Sequence, residues 1–130
     1  MMKKNFKRGE VVIKQGDLVD NHLYIVLEGK LSVKRLAGNT VIDCGNVRDG
    51  DMFGEMSMIL GSARAATIVA EEDSTLEQLD RGEFLELVRE KPDIVWKVLK
   101  NLAIKTQMLD ELQGQISDSA VLRTLLLGKR

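Results

Sequence analysis

Two charged residues nine positions apart, Glu55 and Arg64, are the best candidates for chemistry because both lie among small and apolar residues. Charged side chains are rarely found in such surroundings without a partner. The stretch from Gly50 to Thr67 is predicted to form a turn, a short apolar helix, a second turn and a strand. This order would let both charged side chains point into one pocket.

A pocket of this kind suits a small anion that carries a sugar. The guanidinium of Arg64 offers a planar fork of donors that matches two phosphate oxygens, and the alanines beside it leave backbone N–H groups open to a phosphate. An ionised Glu55 only accepts hydrogen bonds, so it suits the hydroxyl groups of a ribose. Because a carboxylate repels a phosphate, we expect Glu55 to face the sugar. The alternative is that the two residues form an ordinary salt bridge in a loop.

The predicted start of the short helix, just after Phe53, adds a second source of positive charge. Gly54 has no side chain and allows a ligand to approach the backbone closely. The N–H groups that follow, in Glu55, Met56 and Ser57, have no partner within a helix and therefore favour an anion.

Phe53-Gly54-Glu55 and Arg64-Ala65-Ala66-Thr67 together resemble the phosphate-binding cassette of the cyclic nucleotide-binding domain family. This family includes bacterial catabolite-activator-type transcription factors, regulatory subunits of cyclic nucleotide-dependent kinases, and cyclic nucleotide-gated channels. Other segments match the family pattern in order and spacing: Arg8-Gly9-Glu10, Gln15-Gly16-Asp17, Leu23 to Gly29, and Gly50-Asp51. The resemblance runs from about Phe6 to about Leu112 and implies that the chain binds a cyclic nucleotide.

The resemblance also implies how the nucleotide base is held. Family members that prefer cyclic GMP often have a threonine at the position of Ala65, so an alanine there favours cyclic AMP. By family position, the strand that carries Cys44 borders the base-binding end of the pocket. Catabolite-activator-type proteins cap the base with a Thr-Ser pair, and Leu109 and Asp110 occupy those positions here. Leu109 would cover the ring, and Asp110 would accept a hydrogen bond from the adenine amine.

Composition limits the classes of function. A chain of 130 residues that is 44% hydrophobic is expected to form one domain with a sizeable core. Its 19 basic and 20 acidic residues give a net charge of −1, which disfavours nucleic-acid binding by this chain itself. One cysteine excludes an internal disulfide and is compatible with the cytoplasm. No apolar run approaches the roughly 20 residues of a membrane span.

Catalysis and metal binding are not expected. The single histidine, His22, and the single cysteine, Cys44, cannot supply the three-ligand metal site that jelly-roll enzymes use. No Ser/His/Asp arrangement can be built with confidence around His22, which is interpreted as a turn residue. The acidic pair Glu71-Glu72 is more typical of a solvated loop than of a catalytic dyad.

The predicted fold is mainly β with C-terminal helices. The first 90 residues are expected to form a β-roll or jelly roll, which is also what the resemblance implies. An alternation of apolar and other residues indicates a pair of strands with one buried face and a turn or bulge at Gly29-Lys30. The predicted buried face contains Leu23, Ile25, Leu27, Leu31 and Val33. Gly38-Asn39 is a hairpin signal.

Helices are predicted to follow the strands. Asp80 and Glu83 are spaced as a capping box that begins a short closing helix, and Pro92 separates this helix from a longer one over residues 91–116. On the longer helix, mostly apolar residues recur at spacings of three and four, which is typical of a coiled-coil seam. The seam contains Val95, Val98, Leu102, Lys105, Leu109, Leu112 and Ile116. We predict a parallel homodimer through this helix; the alternative is that its seam packs on the chain's own β-roll.

The predicted function is a non-catalytic sensor of a cyclic nucleotide that signals through its C-terminal helix and dimer interface. Residues 117–130 are predicted to form a short helical stub, so the chain would be a free-standing sensor or the sensor half of a transcription regulator. The alternative is a protein-interaction module of the same fold whose pocket is empty or binds another effector.

Overall fold

The structure, a computed structural model, describes residues 1–113, and it describes side chains as far as residue 107. The chain divides into two compact units, Met1–Pro92 and a second unit that begins at Asp93. The first unit contains β1 (Met2–Phe6), β2 (Val11–Ile13), β3 (Leu23–Glu28), β4 (Lys30–Ala37), β5 (Thr40–Arg48), β6 (Met52–Phe53), α1 (Glu55–Leu60), β7 (Thr67–Ala70), β8 (Ser74–Leu79) and α2 (Arg81–Glu90). The second unit contains α3 (Asp93–Gln113).

Two four-stranded antiparallel sheets form the first unit, with the strand orders β1-β8-β3-β6 and β2-β7-β4-β5. Buried apolar side chains from both sheets pack into one core, so the sheets enclose the core between them. The core contains Ile13, Tyr24, Val26, Leu31, Phe53, Ile68 and Leu76. The predicted fold class, mainly β with C-terminal helices, is confirmed.

The predicted pairing of β3 with β4 is wrong. β3 pairs with β8 and β6, whereas β4 pairs with β5 and β7, so the chain passes from one sheet to the other at Gly29. Gly29 has a φ of 129°, and a Cβ built on it would lie 2.0 Å from Oγ of Ser74 and 2.8 Å from its Cα. The N–H of Gly29 donates to Oδ1 of Asp49 at 2.8 Å. This position therefore needs a glycine because the backbone of β8 passes directly beside it.

The buried face of β3 also differs from the prediction. Tyr24 and Val26 enter the core, while Leu27, which was expected to point inward, is exposed. Leu23 lies opposite Leu79 of β8, and both are fully buried on the other face of the sheet. A strand that is buried on both faces carries apolar residues on both, so alternation alone does not identify the inner face.

The turns and helix starts agree better with the sequence. β4 and β5 form the hairpin predicted at Gly38-Asn39, with Ala37 opposite Thr40. At the start of α2, the N–H of Glu83 donates to Oδ1 of Asp80 at 2.8 Å, and the N–H of Asp80 donates to Oε1 of Glu83 at 3.0 Å, as the capping box predicts.

The predicted domain boundaries at residues 90 and 116 stay predictions. The helical stub over residues 117–130 and the seam residue Ile116 lie outside the described residues, as do the side chains of Leu109 and Leu112. In residues 1–113, no helix combines the length and the apolar character needed to cross a membrane.

Candidate functional site

Arg64 lies between α1 and β7 and is almost completely buried, with 2% of its surface exposed. Its guanidinium donates through Nη1 to the carbonyl of Gly54 at 3.2 Å and through Nη2 to the carbonyl of His22 at 2.7 Å. Nη2 also lies 3.1 Å from Oδ2 of Asp20, which makes an ion pair. The Cζ atom is 5.9 Å from the centre of the Tyr24 ring, within cation–π range. These four contacts fix the guanidinium in one orientation.

The backbone of Arg64 is held by the loop that precedes β3. The N–H of Arg64 donates to the carbonyl of Asp17 at 2.9 Å, and its carbonyl accepts from the N–H of Gly16 at 2.8 Å. The N–H of Gln15 donates to Oγ1 of Thr67 at 3.0 Å. The Gln15-Gly16-Asp17 segment therefore positions the arginine, although it is distant from it in the sequence.

Asp20 is the ion-pair partner of Arg64 and the centre of a small hydrogen-bond network. Its Oδ1 accepts from the backbone N–H of His22 at 3.0 Å and lies 2.8 Å from Nδ1 of the same residue, and its Oδ2 accepts from the hydroxyl of Tyr24 at 2.9 Å. Burial alone would raise the pKa of the Asp20 carboxyl. The hydrogen bonds from His22 and Tyr24 and the charge of Arg64 outweigh burial and hold that pKa below its usual value. Asp20 is therefore ionised at neutral pH.

Tyr24 connects this network to the core. Its ring stacks on Phe53 with the ring centres 5.1 Å apart, and its hydroxyl accepts from Nε2 of Gln78 at 3.0 Å. Burial, followed by the adjacent Asp20 carboxylate, raises the pKa of Tyr24 to about 12. The predicted site residue Phe53 thus lies in the core, behind the tyrosine that faces Arg64.

The cassette folds as the sequence predicts, with Gly54 at the N-cap of α1 and a φ of 86°. A Cβ built on Gly54 would lie 2.7 Å from Nη1 of Arg64, so the close approach expected of a ligand is made by the arginine. Of the first three residues of α1, Glu55 and Ser57 are buried and Met56 is exposed. Arg64 forms an ion pair with Asp20, a residue that the sequence analysis did not assign to the site.

The other predicted site residues are less constrained. Ala65 is exposed and Ala66 is half-buried, next to the arginine. Cys44 is exposed on β5, the edge strand of the second sheet, and its contact with a base stays a prediction. Leu109 and Asp110 belong to α3, but their side chains lie outside the described residues, so their capping of the base stays a prediction as well.

Within the described part of the chain, the guanidinium of Arg64 keeps one donor without a hydrogen-bond partner. Nε of Arg64 is fully buried and has no hydrogen-bond partner in residues 1–107, although buried donors are nearly always paired. An oxygen of a bound anion would supply that partner. Within the same residues, no group of three or more His, Cys, Asp or Glu side chains is placed to hold a metal ion.

Comparison with known proteins identifies the ligand class. A sequence profile described as the cyclic nucleotide-binding domain matches residues 3–91. The chain belongs to this family. The resemblance seen in the cassette is therefore confirmed, and the family consists of regulatory domains that are generally non-catalytic.

Relatives of this cyclic nucleotide-binding domain include regulators of several kinds. The chain is 40% identical to a cAMP-dependent protein kinase regulatory subunit of Debaryomyces hansenii, over 68% of this chain and 19% of the relative. It is 32% identical to the cyclic AMP receptor protein of Thermus thermophilus, over 81% of this chain and 49% of the relative. The crystal structure of the Thermus thermophilus catabolite activator protein superposes with a TM-score of 0.77 at 32% identity, over 86% of this chain and 53% of that one.

A relative with an enzyme's name does not change this assignment. The lysophospholipase nte1 of Aspergillus fumigatus is 33% identical over 89% of this chain, but the match covers 8% of that protein. The chain spans at most about half the length of these curated relatives.

Sequence reasoning missed Asp20, His22 and Tyr24. The loop before β3 contains two aspartates, and Asp17 and Asp20 are equally polar in sequence. Asp17 accepts from the N–H of Val19 in its own turn, whereas Asp20 reaches Arg64. The sequence feature that could have singled out Asp20 is Tyr24, the only tyrosine of the chain, which follows it by four residues. A buried tyrosine hydroxyl needs a hydrogen-bond partner, and Asp20 is close enough in sequence to supply one.

Proposed function

We propose that this domain is a non-catalytic sensor of cyclic AMP in which Arg64 binds the cyclic phosphate and Glu55 binds the ribose. The observation that carries the proposal is the buried guanidinium of Arg64, whose Nε has no partner in residues 1–107. The N–H groups at the start of α1 lie beside it, since the carbonyl of Gly54 already contacts Nη1. The names of the cyclic AMP receptor protein and of the kinase regulatory subunit support cyclic AMP as the ligand.

The preference for cyclic AMP over cyclic GMP rests on Ala65. This residue is exposed beside Arg64 and has no hydroxyl that could bind the exocyclic amine of guanine. Cys44, Leu109 and Asp110 are proposed to border the base. We propose a cytoplasmic location, with which the single cysteine is compatible. We also propose that the chain itself binds neither nucleic acid, given its net charge of −1, nor membrane.

A thermal-shift screen tests this proposal. Cyclic AMP at 100 times its dissociation constant should stabilise the domain by about 2.7 kcal/mol, which raises the melting temperature by about 10 °C. We expect a smaller shift with cyclic GMP and none with cyclic dinucleotides or with linear AMP, which is the matched control for the cyclic phosphate. In the Ala65→Thr variant, the melting-temperature shifts caused by cyclic AMP and by cyclic GMP should differ less than in the wild type. Equal shifts with linear and cyclic AMP, or no shift with either, would contradict the proposal and favour an interaction module.

We also propose that the domain signals as a parallel homodimer through α3, so that the ligand favours one arrangement of this helix. Val95, on the predicted seam, is exposed in the single chain. At micromolar concentration, sedimentation should show a dimer that Val95→Glu converts into a monomer. Ile104→Glu is the matched control, because Ile104 is also exposed but lies off the seam. A wild-type monomer would refute the dimer. Whether or not the domain dimerises, an output such as transcription regulation would require segments beyond this domain.

A further inference from the structure

We infer that His22 is a positioning residue of the phosphate site and that its protonation sets the net charge that Arg64 presents to the ligand. The inference rests on the proposed function of Arg64. It concerns the single histidine of the chain, which the sequence pattern identified only as a turn residue.

His22 holds Arg64 by two routes. Its carbonyl accepts directly from Nη2 of Arg64 at 2.7 Å. Its backbone N–H at 3.0 Å and its ring Nδ1 at 2.8 Å both bind Oδ1 of Asp20, and Oδ2 of Asp20 lies 3.1 Å from the same Nη2. One carboxylate is therefore shared between the imidazole and the guanidinium, so the three groups form a linked set of charges.

The tautomer of His22 follows from this geometry. An ionised Asp20 only accepts hydrogen bonds, so the proton on the neutral imidazole is at Nδ1. A second proton must then bind at Nε2, on the opposite side of the ring. Protonation changes the charge of the imidazole without breaking its hydrogen bond to Asp20. The side chain is 39% exposed and lines an open cavity of about 530 Å³, so solvent protons can reach it.

Several other charged or titratable groups surround His22. Asp20, Arg64 and the hydroxyl of Tyr24 belong to the network itself, and Glu55 begins the adjacent α1. Asp80 and Arg81, at the start of α2, line the same cavity as His22. Asp80 accepts a hydrogen bond from the N–H of Glu83, and Arg81 donates one to the carbonyl of Ile59. Carboxyl, phenol and guanidinium groups ordinarily keep one charge state between pH 5 and 8, whereas histidine changes charge in that interval.

The consequence is a pH-dependent affinity for the anion. With a neutral His22, the negative charge of Asp20 offsets the positive charge of Arg64, and a phosphate meets a nearly neutral pair. With a protonated His22, the set carries a net positive charge. Cyclic AMP should therefore bind more tightly as the pH falls, and its phosphodiester, a strong acid, keeps its charge throughout. We expect about a threefold to tenfold increase in affinity between pH 8 and pH 5.5, because one histidine side chain changes charge in that interval.

Calorimetric titration of the full chain with cyclic AMP at several pH values tests this inference. The His22→Gln variant has an amide side chain that cannot take up a proton, so its affinity should be nearly constant across the pH range. Asn21→Ala is the matched control in the same turn and should keep the wild-type pH profile. A purely structural role for His22 would lower the affinity by the same factor at every pH.

A second measurement does not depend on a variant. The ring resonances of the single histidine can be titrated by NMR with and without cyclic AMP, and the midpoint should move to higher pH when the ligand is bound, as linkage requires. Identical midpoints, or equal pH profiles for wild type and His22→Gln, would overturn the inference. If cyclic AMP binds with an affinity that is independent of pH, only this inference fails. If it binds at no pH, the proposed function fails.

Discussion

Replacing Arg64 with alanine is expected to weaken cyclic AMP binding by about thirty-fold to several thousand-fold. The guanidinium is the cation proposed to face the phosphate, and removing one partner of a buried charge pair costs about 2–5 kcal/mol. Arg64→Lys should recover only part of the affinity, because an ammonium lacks the planar fork that contacts two oxygens at once. Isothermal titration calorimetry measures both variants directly.

Loss of the Arg64 side chain should also destabilise the fold, so ligand affinity and the free energy of unfolding must be measured separately. Arg64 is buried and bridges Asp20, His22 and Gly54, and its removal should lower the free energy of unfolding by about 2 kcal/mol. Denaturant titration shows whether each variant is folded at the temperature of calorimetry. Arg81→Ala is the matched control, because Arg81 also donates to a backbone carbonyl but is exposed. Its affinity should stay within about threefold of wild type. An Arg64→Ala protein that is folded and binds with wild-type affinity would remove the basis of the proposed site.

The Gly29→Ala substitution is expected to cause the largest loss of stability, about 2–6 kcal/mol. An alanine Cβ would lie 2.0 Å from Oγ of Ser74 and 2.8 Å from its Cα, and the second contact is with backbone that cannot rotate away. Overpacking costs about 1–3 kcal/mol, and a non-glycine residue at a φ of 129° adds about 1–3 kcal/mol of strain. Urea unfolding at pH 7 measures the change in the free energy of unfolding.

The Gly45→Ala variant separates the cost of backbone strain from the cost of overpacking against Ser74. Gly45 also has a positive φ, of 93°, but nothing lies within 4 Å of a Cβ built on it. This variant should therefore show only the backbone strain, a loss of about 1–3 kcal/mol. Equal losses for the two variants would mean that Ser74 moves aside and that the crossover between the sheets tolerates a side chain.

The amino-acid sequence determined the features of this domain that depend on local chemistry. The start of α1 at Gly54, the hairpin at Gly38-Asn39 and the capping box of Asp80 each follow from residues within a few positions of one another. Their conformations depend on glycine φ values, short turns and unpaired helix N–H groups, which neighbouring residues control. The family pattern supplied the ligand class because its motifs follow one another along the chain in a fixed order and spacing, which the sequence shows directly.

Only the tertiary structure decided which distant segments meet. The β1 strand was not predicted, since Met2–Phe6 has little apolar alternation and is held by pairing with β8. The separation of β3 from β4 into different sheets depends on the close contact between Gly29 and Ser74, which are 45 residues apart. The ion-pair partner of Arg64 is likewise Asp20, which lies 44 residues earlier in the chain. A buried charge takes whichever partner the packed chain brings to it, and sequence spacing does not contain that information.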